Sequence, residues 1–557
     1  MRNLTYLFIL IITGIAFSCG NKENQSKELP STIFRYNESA GITSLDPAFA
    51  RNLENIWAVN QIFNGLVQMD DKLHVKPCIA KRWEINEDGT EYTFYLRNDV
   101  YFHDDSVFAN GKGRKVTAQD FVHSFFRIVD PKVASPGAWI FNMIDFSERS
   151  NYAGFVAEND TTLKIYLSNP FPPFLGLLTM QYCSVVPHEA VEKYGYEFRN
   201  HPVGTGPFKF KTWKEGVKLI LEKNPNYFEK DENGKRLPYL DGVAISFIKD
   251  EEAEFYEFMQ GKLDFVSGRE GMAKQEIFTT KGELKKEYQN KIDLIKGDFL
   301  NTEYLGILVD ENLPIVKESP LRLKAIRQAI NYGFDRDKMI TFLRKNIGTP
   351  AHAGFVPRGL PSFDESKVKG YTYNPEKAKE LLFEAGFPNG EGLPQITLST
   401  TAQYLDLCEF IQHQLEEIGF KIKIDVNPAA THRELVAQSK VNFFRKSWVA
   451  DYPDAENYLA LFYSKNFSPK GPNYTHFKNF MFDKYYEQAI KEVNDSVRYE
   501  LYQKMDKIVI EEAPVVPLYY DVAIRLKQKN VKGLGINPIN LLVLKHVQKE
   551  SPLAKQE

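Results

Sequence analysis

Two side chains of opposite charge, Arg445 and Asp451, stand six residues apart in the run Phe443-Phe444-Arg445-Lys446-Ser447-Trp448-Val449-Ala450-Asp451-Tyr452-Pro453-Asp454. The run is aromatic and strand-like, and Pro453 is expected to end it because proline cannot donate to a sheet ladder. Charges carried into such a place are partly desolvated and need partners. A zwitterionic ligand would supply both, an ammonium for Asp451 and a carboxylate for Arg445, whose planar fork suits carboxylates. The competing reading is that each charge pairs with another side chain of the protein, and the residues alone leave both open.

Other chemistry is harder to find. The chain lacks H-E-x-x-H, G-x-S-x-G and G-x-x-x-x-G-K-[ST], and Gly204-Thr205-Gly206 lacks the third glycine of a dinucleotide loop. The nearest approach to a metal-ligand cluster is His103-Asp104-Asp105, read as a solvated acidic turn. No catalytic residue, metal or cofactor is therefore expected, and a hydrolase is the weakest of the functional alternatives.

The elements that must position the charged segment follow from periodicity. Glu91 to Arg97 alternates as a half-buried strand after the turn Asn86-Glu87-Asp88-Gly89. Thr117-Ala118-Gln119-Asp120 predicts a capped helix start, with Phe121, Val122, Phe125 and Ile128 on one face until Asp130-Pro131. Asn374-Pro375 opens another helix that Gly386 stops, and Leu381, Leu382 and Ala385 form its apolar face. Cys408 to Ile418 repeats the helical period, Gly419 closes it, and Phe420 to Val426 alternates as a strand, the pattern of βαβ construction.

The 557 residues are enough for two to four packed units. Seventy Lys and Arg against 73 Asp and Glu give a net charge of -3, which argues against a nucleic-acid partner. Hydrophobic residues at 43% with 26% charged predict a sizeable core. The 41 Phe, 29 Tyr and 5 Trp exceed ordinary usage, most of them expected in cores and the rest along a cleft. Only Cys78, Cys183 and Cys408 follow Cys19, so no disulfide framework is suggested, although one pair among the three remains open.

The N-terminus carries a processing signal. Met1-Arg2 precedes an apolar stretch from Leu4 to Phe17 that ends at Ala16-Phe17-Ser18-Cys19-Gly20. This resembles a bacterial lipoprotein signal, which implies removal of residues 1–18, lipid on Cys19 and a polar tether over 19–30. Ala16 and Phe17 depart from the commonest pattern, and an ordinary signal peptide or an uncleaved anchor are the alternatives.

The chain resembles the family 5 extracellular solute-binding proteins of ABC importers, and within them the oligopeptide-binding proteins. The matching stretches begin with Ser44-Leu45-Asp46-Pro47-Ala48, Arg82-Trp83-Glu84, Tyr92 to Arg97, Val116 to Val122, Val129-Asp130-Pro131 and Ala134-Ser135-Pro136. They continue through His201-Pro202-Val203-Gly204-Thr205-Gly206-Pro207-Phe208, Arg327 to Asn331 with Asp335-Arg336, and Val516-Pro517-Leu518-Tyr519-Tyr520. The resemblance implies an α/β fold of two lobes closing on a ligand, with a third domain inserted in lobe I. Transferred to this numbering, lobe I takes residues 31–63, 199–298 and 522–557, the inserted domain 64–198, and lobe II 299–521.

The resemblance also implies roles. The Asp of a W-x-x-D-Y pattern, here Asp451 after Trp448, holds the ligand's α-ammonium, and Arg445 meets the carboxylate of shorter ligands. Main chain at Ser447 and at Asn52 and Leu53 pairs with the peptide backbone, reading peptide without reading side chains. Three positions depart from the enteric oligopeptide binders. Val449 replaces a half-cystine, Arg51 replaces an acidic residue, and Asp521 replaces a third tyrosine, adding negative charge expected to favour cationic ligand side chains. The implied function is that of a lipid-anchored, monomeric receptor in the cell envelope, facing the periplasm or cell surface. It captures short peptides for an ABC permease and changes no covalent bond. A binder of nickel complexes, haem or another small solute is the alternative within the family.

Overall fold

In the computed structural model, residues 32–147, 154–268 and 277–550 are described. The signal and the whole of the tether, Cys19 included, lie outside them. The helices start and stop where the capping chemistry places them. Ala118–Val129 follows Thr117, whose backbone N–H donates to Asp120 Oδ2 at 2.8 Å, and it buries Phe121, Val122, Phe125 and Ile128. Pro375–Glu384 begins after Asn374, whose Oδ1 accepts from the Lys377 N–H at 3.0 Å, and the chain leaves it through Gly386 at φ +86°. Leu405–Glu416 buries Leu407, Cys408, Ile411 and Leu415 between the parallel strands Ile396–Thr400 and Ile422–Val426, completing the expected βαβ unit.

Three principal sheets organise the described residues. The first is four-stranded, in the order Ile33–Asn37, Gly242–Ser246, Lys218–Lys223, Phe208–Lys214. The second is an antiparallel sheet in the order Ala80–Ile85, Glu91–Leu96, Thr162–Tyr166, Phe155–Asn159, onto which the Phe-rich helix 118–129 packs. The third runs Phe265–Gly268, Val515–Gln528, Ile292–Ile307, Phe443–Val449, Ile396–Thr400, Ile422–Val426, with Thr349–Pro350 added beside Val515–Gln528. The architecture is a two-lobe α/β fold. Its two long strands, Ile292–Ile307 and Val515–Gln528, pair from Ile292↔Gln528 to Gly306↔Val515, with a register shift between Asp298↔Val522 and Thr302↔Tyr520. An irregularity of this kind bends a ladder and increases its local twist.

The glycine pair of the Gly204-Thr205-Gly206 stretch serves packing. A Cβ on either residue would run into the Ile62 backbone at the end of helix Leu53–Ile62, and the Gly206 N–H donates to the Ile62 carbonyl at 2.8 Å. His103 is buried rather than solvated. Its Nε2 is 3.0 Å from the Gly206 carbonyl oxygen, burial lowers its pKa to about 4, and Asp104 pairs with Lys112 at 2.8 Å. Cys78, Cys183 and Cys408 are all free and buried, so none of them pair.

Candidate functional site

The charged segment forms strand Phe443–Val449, four residues shorter than a strand running to Pro453 would be. Ala450 still donates its N–H to the Leu300 carbonyl at 2.9 Å. Asn457 Oδ1 then takes the Asp451 N–H at 3.2 Å, and the chain turns before the proline is reached.

The strand lies antiparallel to Ile292–Ile307, in the register Leu305↔Arg445, Glu303↔Ser447 and Asn301↔Val449. Antiparallel ladders alternate, so with Ala450 bonded to Leu300 the odd-numbered residues aim their N–H and C=O at the opposite edge. There the parallel neighbour Ile396–Thr400 pairs only with Phe443 and Phe444. The Arg445 carbonyl on that edge accepts from His432 Nε2 at 2.8 Å, and among the described residues no strand covers Ser447 or Val449. An open strand edge of this kind is what an extended peptide pairs with.

Arg445 and Glu303 are diagonal neighbours on one face of the sheet, and they form a close ion pair. Glu303 is 1% exposed. Burial pushes its carboxyl above the usual range against the pull of Arg445; burial also opposes the charge on the guanidinium, but Glu303 with Tyr404 and Tyr519 together raise the Arg445 pKa. Arg445 also stacks over the Tyr404 ring. The expected carboxylate reader thus already has an anion. Asn301 Nδ2 contacts Glu303 at 3.2 Å and Asp521 at 3.3 Å, and Asp521 pairs with Arg344 at 2.9 Å. The expectation that Asp521 lends negative charge to the cleft is corrected by that pair, which neutralises it.

Asp451 is placed differently. It faces a cavity of about 640 Å³ bounded by Arg51, Leu53 and Ile56 on one side, by Trp139, Met180 and Tyr182 on a second, and by Phe299 and Val449–Pro453 on a third. It is open to the solvent of the cavity, yet the surrounding walls desolvate its carboxylate and raise its pKa, with Asn457 Nδ2 at 3.4 Å pulling the other way. Trp448 turns away from the cavity, packs against the core around Tyr458 and Phe462, and donates its indole N–H to the same Asn457 Oδ1 at 2.9 Å. Trp448 and Asp451 thus share Asn457 as a partner. Tyr452 reaches across to pack near Trp139, with ring centroids 6.2 Å apart.

On the facing wall, Leu53 lines the cavity and Asn52 does not. Asn52 precedes helix Leu53–Ile62 and its carbonyl already accepts the Ile56 N–H at 2.9 Å. Glu303, Asn457 and Tyr404 were not singled out from the sequence. Nothing near them in the chain marks them, because each is brought to the strand by sheet register or by a turn. Among the described residues no group of three or more His, Cys, Asp or Glu side chains is arranged to hold a metal, and no helix is long and apolar enough to cross a membrane.

Comparison with known proteins sets this site in context. The family model "Bacterial extracellular solute-binding proteins, family 5 Middle" matches residues 74–470. The oligopeptide-binding protein OppA of Bacillus subtilis is 28% identical over 94% of this chain and 95% of its own. The glutathione-binding protein GsiB of Shigella flexneri is 26% identical over 90% and 91%. Among solved structures, the periplasmic binding protein DppA of Helicobacter pylori in complex with the peptide STSA superposes with a TM-score of 0.72 at 26% identity, covering 93% of this chain and 98% of that one.

Proposed function

The chain belongs to the bacterial extracellular solute-binding proteins, family 5, which serve ABC importers as binding proteins and not as enzymes, and from that premise we propose that it captures short peptides between its two lobes. The observation that carries this reading is Asp451, a desolvated carboxylate facing a cavity, next to the open edge at Ser447 and Val449. Asp451 takes the α-ammonium, Ser447 pairs with the peptide main chain, Leu53 packs from the facing wall, and Trp448 positions Asp451 through Asn457. The peptide ligands in the names of the Bacillus and Helicobacter proteins support the same class of ligand.

Arg445 has a conditional part in this reading. It meets a ligand carboxylate only if Glu303 releases it, and otherwise it anchors the strand. The lobes divide near residues 298/299 and 521/522, next to the register shift of the two long strands, and closure bends the protein there. The receptor is anchored through lipid on Cys19, works as a monomer and delivers its peptide to an ABC permease. Titration calorimetry with Ala-Ala-Ala and its N-acetylated form tests the ligand class. The free amine binds and the acetylated peptide binds far more weakly; equal affinities, or no binding of either, would reject it.

A further inference from the structure

The 640 Å³ cavity holds two formal charges among its lining residues, Asp451 on one wall and Arg51 on another. Everything else around it is apolar, aromatic or neutral, including Trp139, Tyr182, Phe299 and Tyr452. Arg51 is exposed and forms no ion pair among the described residues. The other guanidinium expected at the site, Arg445, is spent on Glu303.

Arg51 is held in place by its own loop. Asp46 caps the Ala48 N–H at 2.9 Å and takes both ends of the Arg127 guanidinium, at 2.9 and 2.5 Å. The next turn follows from that anchor, with the Ala50 N–H on the Pro47 carbonyl at 3.1 Å and the Arg51 N–H on the Phe49 carbonyl at 2.8 Å. The base of Arg51 is therefore fixed while its side chain is unpaired. The Tyr182 phenol lies within the fields of both charges. Burial raises its pKa to about 12, with Arg51 acting against the shift and Asp451 adding to it.

We propose that Arg51 is a specificity-determining residue that selects peptides carrying a carboxylate on their first residue, close to the α-ammonium. This rests on the peptide reading above. With the ammonium on Asp451, the first residue of the ligand occupies the cavity that Arg51 faces, and a carboxylate there gains the one cation among the cavity's lining residues. A lysine or arginine side chain in the same place meets like charge. Two kinds of peptide carry this chemistry: an α-linked one beginning with Asp or Glu, and a γ-linked glutamyl one, whose α-carboxylate sits on the same carbon as the ammonium.

The test is calorimetry on the full chain and on Arg51→Gln and Arg51→Lys, with Ala-Ala-Ala, Gln-Ala-Ala, Glu-Ala-Ala, Lys-Ala-Ala and γ-glutamyl-Ala-Ala. Comparing peptides within each variant cancels any general effect of the substitution. Glu-Ala-Ala or the γ-glutamyl peptide is expected to bind about tenfold more tightly than Gln-Ala-Ala, as one charge-assisted contact in a closed cleft gives. Whichever carboxylate peptide shows the gain identifies the source. The gain disappears in Arg51→Gln and is partly kept in Arg51→Lys. If Ala-Ala-Ala binds but neither carboxylate peptide gains, or if the gain survives in Arg51→Gln, the assignment of Arg51 is overturned and the peptide reading stands. If no tripeptide binds, both fall.

Discussion

Arg445 and Asp451 leave the same strand segment six residues apart and meet opposite environments. Arg445 turns into the sheet face and is closed off by Glu303 and Tyr404, in contact with a further, half-buried pair, Asp521 and Arg344, through Asn301. Asp451 stands past the end of the strand, where among the described residues the Asn457 amide alone hydrogen-bonds its carboxylate and the cavity lies in front. One charge is satisfied by the fold and the other has no ionic partner among the described residues. Two residues of matching type and spacing therefore differ in what they are for, and the difference is set by which partner the sheet register delivers.

The largest expected effect of breaking this contrast is on stability. Arg445→Ala leaves Glu303 buried and unpaired, and should cost about 3–5 kcal/mol in urea denaturation, whereas replacing Arg445 and Glu303 together by Met should recover most of it. A loss below about 1 kcal/mol for the single variant would mean that the pair is not desolvated as the structure places it. Asp451→Asn should leave stability unchanged or slightly raised, since it removes a desolvated charge that has no ionic partner.

Ligand affinity should show the reverse order. Asp451→Asn should weaken a free-amine tripeptide by about 2–5 kcal/mol by calorimetry, while an N-acetylated tripeptide is little affected. An unchanged affinity for the free amine would remove Asp451 from the site.

The pH dependence sharpens the same point. Desolvation raises the Asp451 pKa in the ligand-free protein, and an ammonium bound to the carboxylate pulls it back down. Affinity is therefore steady between the ligand-free value and about pH 8, where the peptide's own ammonium deprotonates, and falls as pH drops through the Asp451 value, towards tenfold per pH unit below it. The midpoint should lie above the ordinary aspartate value of about 3.9, and Asp451→Asn should lose the dependence. A smaller effect is expected from Trp448→Phe, which keeps the ring in its core and deletes the N–H on Asn457. It should cost about 1 kcal/mol of stability together with a modest loss of affinity, the second because Asn457 also holds Asp451.

Local signals were legible where a few neighbouring residues decide the outcome. Asn374 with Pro375, Thr117 with Asp120, and Gly386 mark helix ends because the capping groups lie within four residues of the backbone groups they satisfy. The alternation of Glu91 to Leu96 was read as one buried face, and that face is buried. Asp451 stands out in the sequence through its charge within an aromatic run, six residues from Arg445, and through the W-x-x-D-Y pattern after Trp448; the structure places a cavity in front of it.

The sequence by itself thus determined the α/β elements, the absence of known catalytic motifs and the short list of charges worth examining. Only the tertiary structure decided which of those charges is taken. Glu303 lies 142 residues from Arg445 along the chain and meets it because Leu305 is opposite Arg445 in the ladder; a two-residue change of register would bring a different side chain to the guanidinium. Arg344, at the end of helix Arg336–Arg344, meets Asp521 across 177 residues because that helix packs beside the strand, and Arg51 and Asp451 share a cavity only once two distant loops are folded together. Capping and alternation act over a few residues along the chain. Charge pairing and desolvation act over a few ångströms in space, and which residues lie that close is decided by register and packing.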